Sequence, residues 1–312
     1  MARSTSSPVA APGASLVVVP GRPAVQNLIT SLRPRQWTKN LLVFAGLLFG
    51  RKLFDPPSVG RALAAFVVFC VLSGVVYLVN DITDRESDGR HPIKVRRPIA
   101  SGALPVRRAA GAAVVLALAG GAGAVMLGWP FTATVVAYLA LQLLYSMVLK
   151  HIVIIDVLTL SIGFVLRAVG GAVAVHVEIG HWLLVCTILL ALFIALAKRR
   201  QEIVLLAGGA ADHRPILGEY SAYLLDQMIA VVTASTLMAY AFYTVSPETQ
   251  EKFGTPWLGL TIPFPLYGIF RYLYLVHRRE GGGSPADLLL TDRPLLVCVA
   301  LWALAVAALI YS

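Results

Sequence analysis

Asn80, Asp81, Asp84 and Asp88 stand together in the run Asn80-Asp81-Ile82-Thr83-Asp84-Arg85-Glu86-Ser87-Asp88, directly after a long apolar segment. Asn80, Asp84 and Asp88 are spaced by four. On a helix each such step turns about 40° and climbs about 6 Å, so the three side chains form one oxygen-rich stripe. Carboxylates at the end of an apolar helix are costly to desolvate, and a hard cation offsets that cost. Mg2+ takes oxygen ligands, keeps several waters and is commonly shared between one or two carboxylates and a substrate phosphate. The stripe predicts Asn80, Asp84 and Asp88 as Mg2+ ligands, with Asp84 and Asp81 at the chemistry. The plainer alternative is a solvated helix end paired locally with Arg85 or Arg90.

The surroundings are basic. Lys94, Arg96 and Arg97 follow the stripe, Lys39 and Asn40 precede it, and Lys198-Arg199-Arg200-Gln201-Glu202 comes later. Arginine grips phosphate with a bidentate fork and lysine as a point charge, so a carboxylate-bound cation beside them is a place for a polyanion. The candidates for phosphate recognition are Lys39, Lys94, Arg97, Lys150, Asp156, Lys198, Arg199 and Glu202; Tyr145 and Lys150 join the catalytic candidates. Each has a simpler reading. Trp37 and its basic neighbours suit an interfacial anchor, Lys150 and Asp156 suit an ion pair across a turn, and 198–200 suits a stop-transfer cluster. Arg167 lies deep among apolar residues, which makes it a functional candidate by default.

The elements that must position these groups are membrane helices. Of 312 residues 58% are hydrophobic and 13% charged, against roughly 25% charged in a soluble domain. That leaves too little polar sequence to clothe one soluble core. In lipid only helices or closed barrels satisfy their backbone. The apolar segments have the ~20-residue length of a spanning helix and lack the alternation of barrel strands. The predicted fold class is all-α: a polytopic membrane bundle of nine transmembrane helices near 38–50, 58–82, 108–127, 131–149, 153–175, 182–200, 226–246, 257–277 and 294–311. Residues 1–25 read as a disordered cytoplasmic tail without a cleavable signal peptide, and 26–312 as one membrane domain.

The net charge of +10 is placed between spans, which reads as topology and anionic-substrate binding and not as a nucleic-acid surface. Arg85, Arg90, Lys94, Arg96, Arg97, Arg107 and Arg108 lie between spans two and three. Lys198, Arg199, Arg200 and Arg214 follow span six, and Arg278, Arg279 and Arg293 lie between eight and nine, while the alternate connections are nearly free of positive charge. The protein is expected to be multi-pass in the plasma membrane, and the bias predicts its N-terminus and active site on the cytoplasmic side; the connection 51–61, with Arg51 and Arg61, is the exception. Cys70, Cys186 and Cys298 lie inside spans, without metal spacing, and imply no disulfide.

The Asn-Asp-x-x-Asp-x-x-x-Asp stripe after the second span, the loop with Arg97-Pro98 and Ser101-Gly102, and Tyr145 with Lys150 after the fourth resemble the UbiA superfamily of intramembrane prenyltransferases, over about residues 30–311. The resemblance implies a UbiA-like bundle. It also exposes a departure. Members typically carry a second motif, Asp-x-x-x-Asp, after the sixth span, which helps hold a second Mg2+ on a prenyl diphosphate; here that place reads Lys198-Arg199-Arg200-Gln201-Glu202, with Glu202 its only acid. Cations in place of carboxylates suit a substrate with more phosphate. The leader Leu32-Arg33-Pro34-Arg35-Gln36-Trp37-Thr38-Lys39-Asn40 and the late Leu290-Thr291-Asp292-Arg293-Pro294-Leu295 resemble one branch, the decaprenyl-phosphate phosphoribosyltransferases. That likeness implies a trimer-forming, Mg2+-dependent membrane enzyme. It would move phosphoribose from phosphoribosyl diphosphate (PRPP) to a polyprenyl phosphate, for arabinan synthesis in actinobacterial cell walls. Two rival classes remain: a prenyltransferase joining a prenyl diphosphate to an aromatic acceptor, and a lipid or ion transporter. The last expects charge near the bilayer midplane, where Arg167 is the main candidate.

Overall fold

The computed structural model describes residues 23–90, 94–178, 180–205, 215–278, 288 and 291–311. The expected tail lies outside the described residues up to position 22, and helix α1 (Ala24–Leu32) already takes in its last two residues. Arg33, at φ 53°, turns the chain out of α1. A 3-10 helix, Pro34–Phe44, then runs into the short α2 (Ala45–Phe49). At 11 residues it is far longer than the three or four that 3-10 geometry usually sustains.

Pro56 and Pro57 open α3 (Pro56–Thr83), where their missing N–H groups cost nothing, and Asp55 caps it by accepting from Ser58 N at 3.3 Å. At the far end Asp84 leaves helical geometry, yet its N–H still reaches Asn80 O (2.8 Å) and Asp88 N reaches Asp84 O (2.8 Å). The backbone thus carries the oxygen stripe on into α4 (Arg85–Arg90). Next come α5 (Val106–Leu127), α6 (Trp129–Met147) and α7 (Ile155–Ala174). Side chains from α3, α5, α6 and α7 meet around Phe69, Leu72, Ala124, Phe131 and Tyr138. Helices α8 (His181–Leu205), α9 (Ala222–Val245), α10 (Pro247–Phe253), α11 (Pro263–Arg278) and α12 (Arg293–Tyr311) follow. A second cluster of Phe193, Leu196, Leu225, Ile229, Tyr272 and Leu295 ties α8, α9, α11 and α12 together.

Seven of the described helices, α3, α5, α6, α7, α8, α9 and α12, are long and apolar enough to cross a membrane. The expected span 38–50 is built from the 3-10 helix and α2. The expected span 257–277 is a 3-10 turn, Trp257–Thr261, followed by the 16-residue α11. Prolines at 34, 263 and 265 account for the broken starts. The outer faces carry exposed Val114, Val115, Leu118 and Met126 on α5, as lipid-facing helices should.

The sixth expected span ended at residue 200, but α8 continues to Leu205. Lys198 and Arg199 meet Glu202 one turn on (3.7 and 2.6 Å), and such pairs support a helix. The first span crosses α7 almost backbone to backbone. A Cβ on Gly171 would lie 1.9 Å from Val43 O, and one on Gly46 would lie 2.7 Å from Ala172 Cα; only glycine permits that approach. Arg61, one of the charges in the 51–61 connection that broke the expected loop pattern, bonds Ala174 O (2.7 Å) and Leu127 O (2.9 Å). It satisfies carbonyls left over at the C-termini of α7 and α5.

Candidate active site

Two ion clusters gather at the end of the bundle where α3 finishes. In the first, Asp81 Oδ1 accepts from Arg33 Nη2 (2.5 Å) and Arg97 Nη1 (3.1 Å). Asp88 Oδ2 accepts from the same Arg97 nitrogen (2.5 Å), and Lys94 Nζ lies 3.7 Å from Asp88 Oδ1. Both carboxylates are buried. Arg33 stacks on Tyr77, 4.7 Å from its ring centre. Helix α1 and the 94–105 loop enclose this cluster, with Ile99 and Leu104 packed against Leu78 and with Asn27 Nδ2 donating to Ala103 O at 3.2 Å.

The expected stripe thus divides. Asp81 and Asp88 are engaged by arginines, so in this arrangement they position Arg33, Arg97 and Lys94 and are not open ligands. Asp84 is half-buried and has no ion pair with a described residue. Asn80 Oδ1 accepts from Ser146 Oγ at 2.9 Å, which brings the ends of α3 and α6 together. Among the described residues no group of three or more His, Cys, Asp or Glu side chains surrounds one point. An unpaired carboxylate and an amide oxygen one turn apart do fit Mg2+, which draws its remaining ligands from substrate phosphate and water.

The second cluster centres on Arg199. Its Nε donates to Asp156 Oδ2 (2.9 Å), its Nη1 to Glu202 Oε2 (2.6 Å) and its Nη2 to the Tyr145 hydroxyl (3.2 Å). The Arg199 and Asp156 side chains are 1% and 0% exposed. Three expectations change here. Asp156 pairs with Arg199 and not with Lys150. Arg199 is buried and ion-paired to two carboxylates, so it braces α7 against α8 and is not a free phosphate clamp. Glu202, the only acid at the second-motif position, is held by Arg199 and Lys198. Lys150, in the turn between α6 and α7, is half-buried without a carboxylate partner among the described residues, and Lys198 is 39% exposed. These two stay available to an anion.

The α6–α7 turn is held by a residue the sequence did not flag. Ile154 has φ 69°, a strained backbone for a β-branched side chain. Its N–H donates to the Tyr220 hydroxyl (2.7 Å), which in turn donates to Asp156 Oδ1 (2.8 Å). Burial foremost, with the bond to Asp156, pushes the Tyr220 phenol up to about 12, so it remains a donor at any physiological pH. Arg33 and Ser146 were also missed as site residues; no spacing marks them, since their partners come from other helices.

Asn40 reaches the interior, and Lys39 beside it is half-buried. Asn40 is buried and its Oδ1 accepts from Arg167 Nε at 2.8 Å. Of the loop acids noted in the sequence, Asp292 bonds Arg271 (2.8 Å), and Asp212 and Asp287 lie outside the described residues. A shallow recess lined by Phe49, Trp182, Tyr243 and Lys252 opens at the opposite end of the bundle, remote from all of these groups.

Known proteins resemble this chain in sequence and in fold. The sequence profile of the UbiA prenyltransferase family matches residues 41–288. The decaprenyl-phosphate phosphoribosyltransferase of Corynebacterium glutamicum is 34% identical over 303 residues, which span 94% of this chain and 89% of that protein. Its counterpart in Mycolicibacterium smegmatis is 33% identical, over 94% of this chain and 95% of that one. A UbiA homolog from Archaeoglobus fulgidus, solved bound to GPP and Mg2+, has the same fold: TM-score 0.69 and 17% identity, covering 92% of this chain and 100% of the other. With the profile along most of its length, near relatives end to end and the fold in common, the chain belongs to the UbiA prenyltransferase family.

Proposed function

We propose that this protein transfers the 5-phosphoribosyl group of PRPP to decaprenyl phosphate and releases diphosphate. The observation that carries the reading is the match, along 94% of the chain, to decaprenyl-phosphate phosphoribosyltransferases at 33–34% identity. The site supports it. Basic residues outnumber open carboxylates, as a donor with three phosphoryl groups and an acceptor with a fourth demand.

The reaction breaks the bond from ribose C1 to the diphosphate oxygen and forms one from C1 to a lipid phosphate oxygen. The acceptor is already anionic, so no strong base is needed and positioning with electrostatics does most of the work. Mg2+, when bound, neutralises charge on the departing diphosphate. Asn80 and Asp84 would hold it. Lys150 and Lys198 bind phosphate oxygens directly, with Lys94 and Arg97 at the rim and Lys39 deeper. Tyr145, oriented by Arg199, borders the reacting carbon. The nine-span count, the cytoplasmic N-terminus and active site, the plasma membrane and a homotrimer complete the proposal, supported by loop charge for the orientation and by family resemblance for the rest.

The test is transfer by the purified protein in detergent, with ribose-labelled PRPP and decaprenyl phosphate. Label is expected in the organic phase with Mg2+ and not with excess EDTA. Active protein that leaves all label in the aqueous phase would refute the reading.

A further inference from the structure

Arg167 differs from the other arginines that pack into the bundle in what balances its charge. Arg199 has Asp156 and Glu202, and Arg33 and Arg97 have Asp81 and Asp88. Arg61 lacks an acid but caps two helix C-termini, whose partial negative charge favours a cation. Arg167 is 6% exposed and, among the described residues, bonds neutral acceptors only. Its Nε donates to Asn40 Oδ1 (2.8 Å), its Nη1 to Gly163 O (2.7 Å) and its Nη2 to the Tyr138 hydroxyl (2.9 Å). The rings of Tyr138 and Phe164 lie 4.7 and 5.3 Å from its guanidinium carbon. A guanidinium has five N–H donors. Those three bonds leave two without a partner among the described residues.

A buried cation without a counter-ion is costly. An aspartate at position 40 would neutralise it and keep the Nε bond; the chain has asparagine, and the positive charge stands. Lys39, the adjacent residue, is half-buried and has no carboxylate partner among the described residues. These cations mark a path inward from the Asp84 end. Lys198 sits at that end beside Arg199, and the Arg167 guanidinium reaches back one turn along α7 to Gly163, towards it.

We propose that Lys39, backed by the Arg167–Asn40 pair, forms a second anion site, distinct from the Asp84 site, which takes a phosphomonoester without a metal. Among the described residues no acid pairs with Lys39 or Arg167 and no group of three metal-ligating side chains gathers, and a phosphomonoester carries about −1.5 to −2 charge at neutral pH, enough to balance two cations. Both substrates of the proposed reaction offer such a group: the 5-phosphate of PRPP and the phosphate of the polyprenyl lipid. The choice between them rests on the phosphoribosyl-transfer reading; the anion site itself does not.

The informative variant is Asn40→Asp, which keeps an acceptor for Arg167 and cancels its charge; Arg167→Gln is the companion that removes the charge outright. Binding of ribose 5-phosphate and of farnesyl phosphate is measured on wild type and variants in detergent, alongside KM for PRPP and for decaprenyl phosphate. The expected result is tenfold or greater weakening of one phosphomonoester in Asn40→Asp, with its thermal unfolding temperature not lowered. A shift confined to ribose 5-phosphate and PRPP identifies the donor's 5-phosphate, and one confined to farnesyl and decaprenyl phosphate identifies the acceptor. Affinities and KM values within twofold of wild type in a folded Asn40→Asp protein would overturn the proposal, as would wild type that binds neither probe. Wild type that binds a probe but transfers nothing would sink the reaction and leave the site standing.

Discussion

Asp84 and Asp88 stand four residues apart on one stripe, yet they meet different partners, and so their substitutions should differ in kind. Asp84 has no ion pair with a described residue, so Asp84→Ala should leave the fold intact and lower Mg2+-dependent turnover by about 100-fold or more, read as initial rates against Mg2+ concentration. Asp88 holds Arg97 at 2.5 Å. Arg199→Met would strand the buried Asp156 carboxylate and should destabilise the protein by about 3–5 kcal/mol, seen as a lower unfolding midpoint in detergent. Lys198→Ala, at a half-exposed position, should shift stability by no more than ~0.5 kcal/mol while raising the KM for a phosphorylated substrate. At this scale the sequence disclosed which residue types do the chemistry but not who pairs with whom. Spacing along one helix revealed Asn80, Asp84 and Asp88. It could not reveal that Arg199 is spent on Asp156, because that contact joins residues 43 apart on different helices.

Among the elements, the crossing of α7 with the first span is the tightest. Gly171→Ala would drive a methyl group into Val43 O, 1.9 Å away, and should cost about 1–3 kcal/mol. Gly121→Ala, where nothing lies within 4 Å of the new carbon, should stay within about 0.5 kcal/mol. Thermal unfolding of the two variants side by side checks this. Loosening that crossing also displaces the 3-10 helix bearing Lys39 and Asn40. The long apolar helices were legible from hydropathy alone, with ends correct to a few residues. The extension of α8 past Arg200 was not, because a basic cluster reads as a membrane border until its i+3 and i+4 partner Glu202 is counted. Nor was the 3-10 geometry of the first span, where Pro34 sets the start but tertiary contact with α7 holds the shape.

For the whole molecule, loop charge predicts that the Asp84 end faces the cytoplasm. Arg61, one of the charges in the exceptional 51–61 connection, is committed to helix termini, which leaves Arg51 and Lys52 as the charges that run against that orientation. Cysteines introduced at Glu86 and Glu251, both exposed and at opposite ends, should report it. A membrane-impermeant maleimide added to intact cells should label position 251, and should label position 86 only after lysis. The reverse pattern would invert the topology. The central claim concerns which group is transferred, and a competition decides it most directly. Purified protein receives PRPP with decaprenyl phosphate and, in the same vessel, a prenyl diphosphate with an aromatic acceptor, and the products are separated by mass. The account predicts a phosphoribosylated polyprenyl phosphate that disappears when Mg2+ is chelated. A prenylated aromatic product, with PRPP left intact, would contradict it.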